Sequence, residues 1–276
     1  MKICVHITYH QTQNNNRDHL FKKIVSNYLQ FNEIDIFIHT NKKVFFKKKS
    51  QNVKCIIHKL KKEHPFYLSW KCRKLMEKQK KNYDYFIYTE DDILFTKKNF
   101  IYWRENYELC KNHNYNLGFI RVEDRKSKGL FAVDVFHKFK HFIKLESKKF
   151  AVNDVNPFCA MWIMDNNEFN KFIKTDIWKF RWKKNYQANG DIRAMSAMGL
   201  HGININYYKS TLIPLSNKKL DKDCVIIHLD NRYSITKHGP GSLIFKDILN
   251  LKPVELTKYY KCKIFIKKIL KKLSIN

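Results

Sequence analysis

Glycine and proline are scarce in this chain, with seven and five residues among 276. Disordered and low-complexity chains are rich in such residues, so the composition argues against disorder. The few glycines form no Gly-rich phosphate loop, which counts against P-loop and dinucleotide-binding proteins. Hydrophobic residues make up 44% of the chain and aromatic residues 15%, which is enough for the core of one large domain or two small ones.

Long apolar runs and paired cysteines are also missing. No stretch is long and apolar enough for a transmembrane helix, and the first apolar run is too short for a signal peptide. The seven cysteines are scattered singly with no CxxC, which disfavours a zinc ribbon or a redox pair. Most lie among apolar residues, as reduced core cysteines do. We therefore expect a cytoplasmic protein, or one peripheral to a membrane.

Acidic residues are few, 25 against 54 basic ones, and the formal net charge is +29. Such a charge favours anionic partners, namely nucleic acid, an anionic membrane or phosphorylated substrates. The lysines are spread along the whole chain, and no helix-turn-helix, zinc-finger or RNP-type motif accompanies them. Nucleic acid is therefore disfavoured as a partner. A protein that binds nucleic acid, or processes it with a bound metal, is kept as the second hypothesis.

The order of apolar patterns predicts an α/β fold with a mostly parallel sheet flanked by helices. The predicted strands are 2–8, 33–39, 53–58, 83–89, 117–122, 129–136, 157–165, 204–208 and 224–229. The predicted helices are 18–31, 69–81, 97–112, 166–174 and 189–200. In such sheets ligands bind at the carboxyl ends of the strands, where the polar loop after the first strand and the residues after 89 would meet.

Three consecutive acids, Glu90, Asp91 and Asp92, follow the apolar strand at 83–89. Carboxylates at the end of a buried strand repel one another and resist desolvation. A divalent cation would relieve that repulsion, and Mg²⁺ and Mn²⁺ prefer oxygen ligands. The alternative is a solvated acidic turn. Because acids are scarce in this chain, the triplet favours a metal site.

The C-terminal segment has a pattern of its own. Apolar residues recur at helical spacing on one face, and lysines occupy the other. The apolar members are Cys262, Phe265, Ile266, Ile269, Leu270 and Leu273. We predict a basic amphipathic helix at 254–273, which either lies on an anionic membrane surface or docks on the protein with its lysines in solvent. A non-catalytic membrane-surface module is a third hypothesis for the chain.

The strand, the Glu-Asp-Asp triplet and the aromatic residues Phe100 and Trp103 after it resemble the nucleotide-sugar site of GT-A-type glycosyltransferases. The Glu-Asp-Asp form resembles the N-acetylglucosaminyltransferase I family in particular. The resemblance implies that Asp92 binds Mn²⁺ (or Mg²⁺) and that Asp91 and Glu90 contact ribose and sugar.

The same resemblance implies further contacts to the donor. Arg17, in the loop-to-helix junction after the first strand, and His64, upstream of the triplet, would lie near the nucleotide, with the alternative that His64 begins a helix or loop after the third strand. Apart from the resemblance, Arg193, two residues after Asp191, is a further candidate for donor binding. The resemblance also implies a GT-A-like domain over 1–250, with a nucleotide-binding half at 1–125 and an acceptor half at 126–250. The basic tail would occupy 251–276.

An inverting transfer needs a general base for the acceptor hydroxyl. Asp191 is the first candidate, with Asp165 and Asp154 as alternatives, although an acid after glycine is also an ordinary helix N-cap. His228, at the end of a strand, is either a metal ligand or a structural histidine. Trp162 and Phe158 form either a sugar platform or part of the core.

The leading hypothesis is thus a metal-dependent glycosyltransferase. Its donor would be a nucleotide-sugar, with UDP as the expected nucleotide, and its acceptor a glycan or a lipid-linked glycan. A divalent cation and nearby basic groups would stabilise the diphosphate that leaves.

Overall fold

The computed structural model describes residues 1–12, 17–45, 50–181, 192, 208–234 and 241–255. Its strands are β1 (Ile3–Tyr9), β2 (Ile34–Thr40), β3 (Val53–Ile57), β4 (Tyr85–Glu90), β5 (Ile93–Leu94), β6 (Asn116–Leu117), β7 (Ile120–Asp124), β8 (Leu130–Ala132), β9 (Phe139–Leu145), β10 (Lys148–Asn153), β11 (Met161–Asp165), β12 (Thr211–Ser216), β13 (Lys219–Leu220), β14 (Val225–His228), β15 (Leu243–Ile244) and β16 (Leu249–Glu255). The helices are α1 (Asp18–Tyr28), α2 (Leu68–Gln79), α3 (Lys97–Asn112), α4 (Asn166–Phe172) and α5 (Asp176–Lys179). Short 3₁₀ turns lie at Pro65–Tyr67, Lys126–Lys128, Lys222–Cys224 and Phe245–Asp247.

The central sheet has the strand order β11-β4-β1-β2-β3 within the described residues. The pairs β4–β1, β1–β2 and β2–β3 are parallel, and β11 is antiparallel to β4. The expectation of an α/β fold with a mostly parallel, Rossmann-like sheet flanked by helices is therefore confirmed. The inner parallel strands β1, β2 and β4 are largely buried on both faces, which explains their near-continuous apolar sequences, whereas the edge strand β3 is largely exposed.

Alternating residues of β1 pack on opposite sides of the central sheet. Ile3, Val5 and Ile7 belong to the larger hydrophobic cluster, which also contains the buried face of α1. Cys4 belongs to a second cluster, whose other members come from α2, α4 and neighbouring strands. The two clusters place helices on both faces of the sheet.

A row of histidines crosses the sheet on its α2 side. His6 Nδ1 lies 2.9 Å from His39 Nε2, and His39 Nδ1 lies 2.8 Å from His58 Nε2. The inner end of the row is closed by Gln79 of α2, whose Oε1 lies 3.0 Å from His6 Nε2. If each ring donates from Nε2 and accepts at Nδ1, every contact in the row is satisfied with all three rings neutral.

Two further sheets extend the larger cluster in the described part of the chain. One has the order β13-β12-β10-β9-β16, with β6 beside β12, and the other has the order β15-β8-β7-β14-β5. In the second of these, β7 and β14 are parallel, so their carboxyl ends lie together. The single-domain prediction and its halves stay predictions.

Several predicted elements differ in extent from the structure. The predicted strand 117–122 is interrupted at Gly118, and its two parts, β6 and β7, join different sheets. A Cβ at Gly118 would lie 2.3 Å from Thr211 Cγ2, so glycine permits this close crossing. The predicted strand 157–165 begins only at Met161, after Ala160 with φ of 56°. The strand predicted at 129–136 is shorter, at 130–132.

The sequence did not predict the hairpin of β9 and β10. Lysines alternate with apolar residues there, and this pattern resembles a polar loop unless the pairing partner is known. The predicted helix 189–200 lies outside the described residues except for residue 192, and the predicted strand 204–208 lies outside them except for residue 208. The predicted tail helix lies outside them from residue 256 onward, and residues 254 and 255 belong to β16.

Of the cysteines in the described residues, five are buried, Cys55 is exposed and all are unpaired, as expected of reduced core cysteines. Among the described helices, none has the length and apolar character needed to cross a membrane.

Candidate active site

A cavity of about 340 Å³ opens at the carboxyl ends of β1, β4 and β14. This is the edge where ligands bind in α/β sheets. It is lined by Thr8, His10, Thr12, Arg17, His64, Pro65, Phe66, Leu68, Ser69, Tyr88, Glu90, Asp91, Asp92, Arg121, Phe158, His228, Arg232 and Tyr233. The cavity thus combines three acids and three arginines with aromatic residues.

Strand pairing brings the two ends of the site together. Glu90 is the last residue of β4, and Asp91 and Asp92 form the turn into β5. Because β5 pairs antiparallel with β14, with Ile93 opposite His228, the triplet comes to lie beside the end of β14. The Leu229 amide donates to the Asp92 carbonyl over 2.9 Å and fixes this junction.

Asp92, His228 and Asp230 form a possible metal site. One ligand atom from each lies within 4.8 Å of the others. Asp92 is 2% exposed, and its Oδ1 has no hydrogen-bond partner among the described residues. A buried carboxylate oxygen without a donor is costly unless a ligand satisfies it. Two carboxylates and an imidazole suit Mn²⁺ or another divalent metal, so the residues fit such an ion.

His228 is held between two carboxylates. Its Nε2 lies 3.1 Å from Asp92 Oδ2, and its Nδ1 lies 2.6 Å from Glu123 Oε1. Glu123 projects from β7 and is fully buried. A ring whose second nitrogen is fixed by a carboxylate is the arrangement typical of metal-binding histidines.

Arg17 partly neutralises the acids in this structure. Its Nη2 donates to Asp91 Oδ1 over 3.0 Å and also to Asp92 Oδ2, and its Nη1 lies 4.0 Å from Asp230. Arg17 is the N-cap residue of α1, so the start of that helix places the guanidinium over the triplet.

The three acids differ in pKa. Burial, together with the charge of Asp92, raises the pKa of Glu90 to about 7 and that of Asp91 to about 8. Burial also opposes ionisation of Asp92, but the hydrogen bond and charge of His228, with Arg17, lower its pKa to about 2. The cluster therefore lacks positive charge, and a bound cation would favour ionisation of all three acids.

Arg121 closes the floor of the cavity. Its Nε and Nη2 each donate to Asp134 over 2.7 Å, which forms a bidentate pair. The guanidinium carbon lies 5.2 Å from the centre of the Phe158 ring and 5.9 Å from that of Tyr233. These contacts hold a buried cation beside Glu90 and Asp92.

The structure brings together six of the residues proposed from the sequence. Arg17, His64, Glu90, Asp91, Asp92 and His228 all line the cavity. His64 also accepts a hydrogen bond from the Phe66 amide at the start of a 3₁₀ turn. Their individual roles stay predictions. Asp191 and Arg193 lie outside the described residues.

The alternative base candidates have other partners. Asp165 caps α4 and lies 2.7 Å from Lys111 Nζ, and Asp154 is paired with His141. Neither is among the described residues that line the cavity. Phe158 lines the cavity, whereas Trp162 is buried against Tyr88 and Phe169 in the core.

The sequence alone did not single out Asp230, Glu123 or Arg121. Asp230 had a signal, since it lies two residues after His228 at a strand end. Arg121 and Glu123 also had one, because they are charged residues that alternate with the apolar residues Ile120 and Val122. That pattern more often marks a strand with one face in solvent, which hid their burial.

Comparison with known proteins gives little further guidance. No protein-family model matches the chain, and no curated protein sequence matches it. One similar solved structure is described as a glycosyltransferase involved in the glycosylation of the major capsid of PBCV-1. The TM-score is 0.31 and the identity 8%, over 70% of this chain and 73% of that one. A likeness of that strength identifies no family, so function rests on the chemistry of the cavity.

Proposed function

We propose that this protein is a metal-dependent glycosyltransferase whose donor is a nucleotide-diphosphate sugar. One observation supports this above the others. A deeply buried carboxylate oxygen, Asp92 Oδ1, lacks a hydrogen-bond partner among the described residues and lies within reach of His228 and Asp230. These three side chains could bind a divalent cation at the edge of an α/β sheet.

Charge around the cavity supports a diphosphate ligand. Arg17, Arg121 and Arg232 all line it, and each can bind phosphate oxygens or offset the charge that develops on a leaving diphosphate. A divalent metal held by Asp92, His228 and Asp230 would supply further stabilisation of that charge. Mn²⁺ is the first metal to test, and Mg²⁺ the second.

Glu90 and Asp91 would position the sugar and ribose. Glu90 Oε1 has no hydrogen-bond partner among the described residues although it lies in the cavity wall. A carboxylate oxygen in that position can accept a hydrogen bond from a hydroxyl group of the donor. His64 and Phe66, whose rings stack at 5.1 Å, would flank the nucleotide.

The acceptor, the stereochemistry and the general base are proposed from the sequence. We propose a glycan or lipid-linked glycan acceptor, with inversion and with Asp191 as base, on the resemblance of the triplet to GT-A enzymes. The basic tail would hold the protein at an anionic membrane surface from the cytoplasmic side. Deletion of residues 256–276 should reduce co-sedimentation with phosphatidylserine vesicles, and undiminished sedimentation would contradict the membrane role of the tail.

The test of the proposed function is release of the nucleotide from a panel of nucleotide-sugars, with Mn²⁺ or with EDTA. We expect at least one UDP-sugar to be consumed with Mn²⁺ only. If UDP-, GDP-, CMP- and dTDP-sugars are all untouched and do not bind, the proposal fails. Steeply salt-dependent binding to nucleic acid would then support the second hypothesis.

A further inference from the structure

Glu123 lies beneath the proposed metal site and does not reach the cavity. Its carboxylate is 0% exposed, whereas His228, which separates it from the site, is 1% exposed. The sequence distance between the two is 105 residues, and the parallel pairing of β7 with β14 brings them together. The described contacts of Glu123 therefore connect it to the metal site through His228.

The Glu123 carboxylate accepts hydrogen bonds from fixed donors on both oxygens. Oε1 lies 2.6 Å from His228 Nδ1 and 3.0 Å from the Tyr233 amide nitrogen. Oε2 lies 3.0 Å from the same amide and 2.6 Å from the Ser234 amide. Since backbone amides can only donate, this side of the carboxylate must remain an acceptor.

The surroundings hold these backbone donors in place. Arg125 donates to the Asn231 carbonyl and to Ser234 Oγ, and its Nη2 lies 3.7 Å from Glu123 Oε2. Gly241 packs on the same segment, where an added Cβ would lie 2.1 Å from the Tyr233 carbonyl oxygen. The carboxylate thus faces a rigid set of donors. Among the described donors, the two backbone amides are fixed, and only the His228 ring can exist as two tautomers.

We propose that Glu123 is a positioning residue that fixes the Nδ1–H tautomer and the ring orientation of His228, so that Nε2 is presented to the metal. This inference rests on the proposed metal site. A histidine binds a metal only through an unprotonated nitrogen, so the tautomer decides whether Nε2 can serve as a ligand. Carboxylates of this kind typically change metal affinity about 10-fold to 100-fold when replaced.

The substitution Glu123→Gln separates this role from a merely structural one. The glutamine oxygen has to face the Tyr233 and Ser234 amides, which leaves its NH₂ group toward His228 Nδ1. His228 Nδ1 must then accept a hydrogen bond from that NH₂ group, which moves the ring proton to Nε2. Glu123→Asp keeps both acceptor oxygens and should restore the Nδ1–H tautomer.

The experiment is a Mn²⁺ titration of the full chain by electron paramagnetic resonance, together with ¹⁵N–¹H correlation of the histidine rings in the metal-free protein at alkaline pH, where the His228 ring carries one proton. For Glu123→Gln we expect Mn²⁺ affinity to fall about 10-fold or more and the His228 proton to lie on Nε2. For Glu123→Asp we expect the proton on Nδ1 and an affinity between those of wild type and Glu123→Gln. If Glu123→Gln does not fold, the wild type supplies the test, and a neutral His228 ring with its proton on Nε2 would overturn the inference.

Glu168→Gln is a matched control. Glu168 is also buried, but its Oε1 lies 2.5 Å from Tyr208 Oη and from Lys209 Nζ, and it does not line the cavity that the described residues form. It should bind Mn²⁺ as wild type does. If Glu123→Gln has the Mn²⁺ affinity and the His228 tautomer of the wild type, the role of Glu123 is overturned while the metal site stands. Absence of Mn²⁺ binding to the wild type would overturn the metal site and this inference together.

Discussion

Two groups of buried polar side chains lie on the same central sheet and differ in how their hydrogen bonds are satisfied. The histidine row, His6, His39 and His58, is closed internally and by Gln79. The carboxylate cluster after β4 leaves Glu90 Oε1 and Asp92 Oδ1 without donors among the described residues. Both are polar and largely buried, yet only the second is incomplete.

This difference in hydrogen bonding distinguishes the histidine row, which stabilises the fold by itself, from the carboxylate cluster, which can bind a ligand. A buried polar atom without a partner costs about 1 to 3 kcal/mol, a cost that a bound ligand would remove. The histidine row needs nothing from outside. In the carboxylate cluster, Arg17 is shared by Asp91, Asp92 and Asp230, and Arg232 also contacts Asp230. Neither Glu90 Oε1 nor Asp92 Oδ1 receives a hydrogen bond from the described residues.

The largest expected effect is that of Asp92→Ala. It removes the carboxylate that is shared by the metal triad and by Arg17, so Mn²⁺-dependent nucleotide binding should fall about 100-fold or more. Calorimetric titration with Mn²⁺ present measures this. Glu105→Ala, which removes an exposed acid from α3, is the control and should bind as wild type does. Unchanged Mn²⁺-dependent binding in folded Asp92→Ala would contradict the site assignment.

The second prediction concerns the stability of the folded protein at acidic pH, through the histidine row. Burial lowers the pKa of His6 to about 3 and that of His39 well below its usual value of 6.5. As pH falls below 6.5 the unfolded chain takes up these protons and the folded protein does not, so stability is complete above 6.5 and lost below it. For His6 this should cost about 1.4 kcal/mol per pH unit, or about 2 kcal/mol at pH 5.

Urea unfolding between pH 7 and pH 5 measures that loss, with His6→Phe as the comparison. The phenylalanine variant cannot take up a proton at this position, so its stability should depend less on pH than that of the wild type. Equal slopes in the two proteins would show that His6 is not held neutral by the fold.

The smallest expected effect is that of Arg17→Ala, and its sign is informative. The Arg17 guanidinium occupies Asp92 Oδ2, an oxygen of the residue that would bind the metal. Its removal should strengthen binding of Mn²⁺ alone by about 3-fold to 10-fold while weakening nucleotide binding. Electron paramagnetic resonance of free Mn²⁺ measures the first and calorimetry the second.

Arg104→Ala, an exposed arginine on α3, is the matched control for Arg17. It should change neither affinity. Weaker binding of Mn²⁺ alone in Arg17→Ala would indicate that Arg17 organises the carboxylates for the metal instead of competing with it.

The sequence predicted the parts of the molecule that depend on neighbours along the chain. The inner strands of the parallel sheet are apolar on both faces, and the triplet is contiguous, so both could be predicted from the sequence. The pair of Asp92 and His228 spans 136 residues and depends on the pairing of β5 with β14, which leaves no local pattern. Glu123 joins the site for a similar reason, through the pairing of β7 with β14, whereas Asp230 follows His228 closely along the chain.

The central claim is that the carboxylate cluster is a divalent-metal site for a nucleotide diphosphate. Calorimetric titration of UDP into the protein at moderate salt, with Mn²⁺ and then with EDTA, tests it most directly. We predict saturable binding with Mn²⁺ that disappears with EDTA. Binding of UDP that is equally strong in EDTA, or no binding of UDP, GDP, CMP or dTDP under either condition, would contradict the claim.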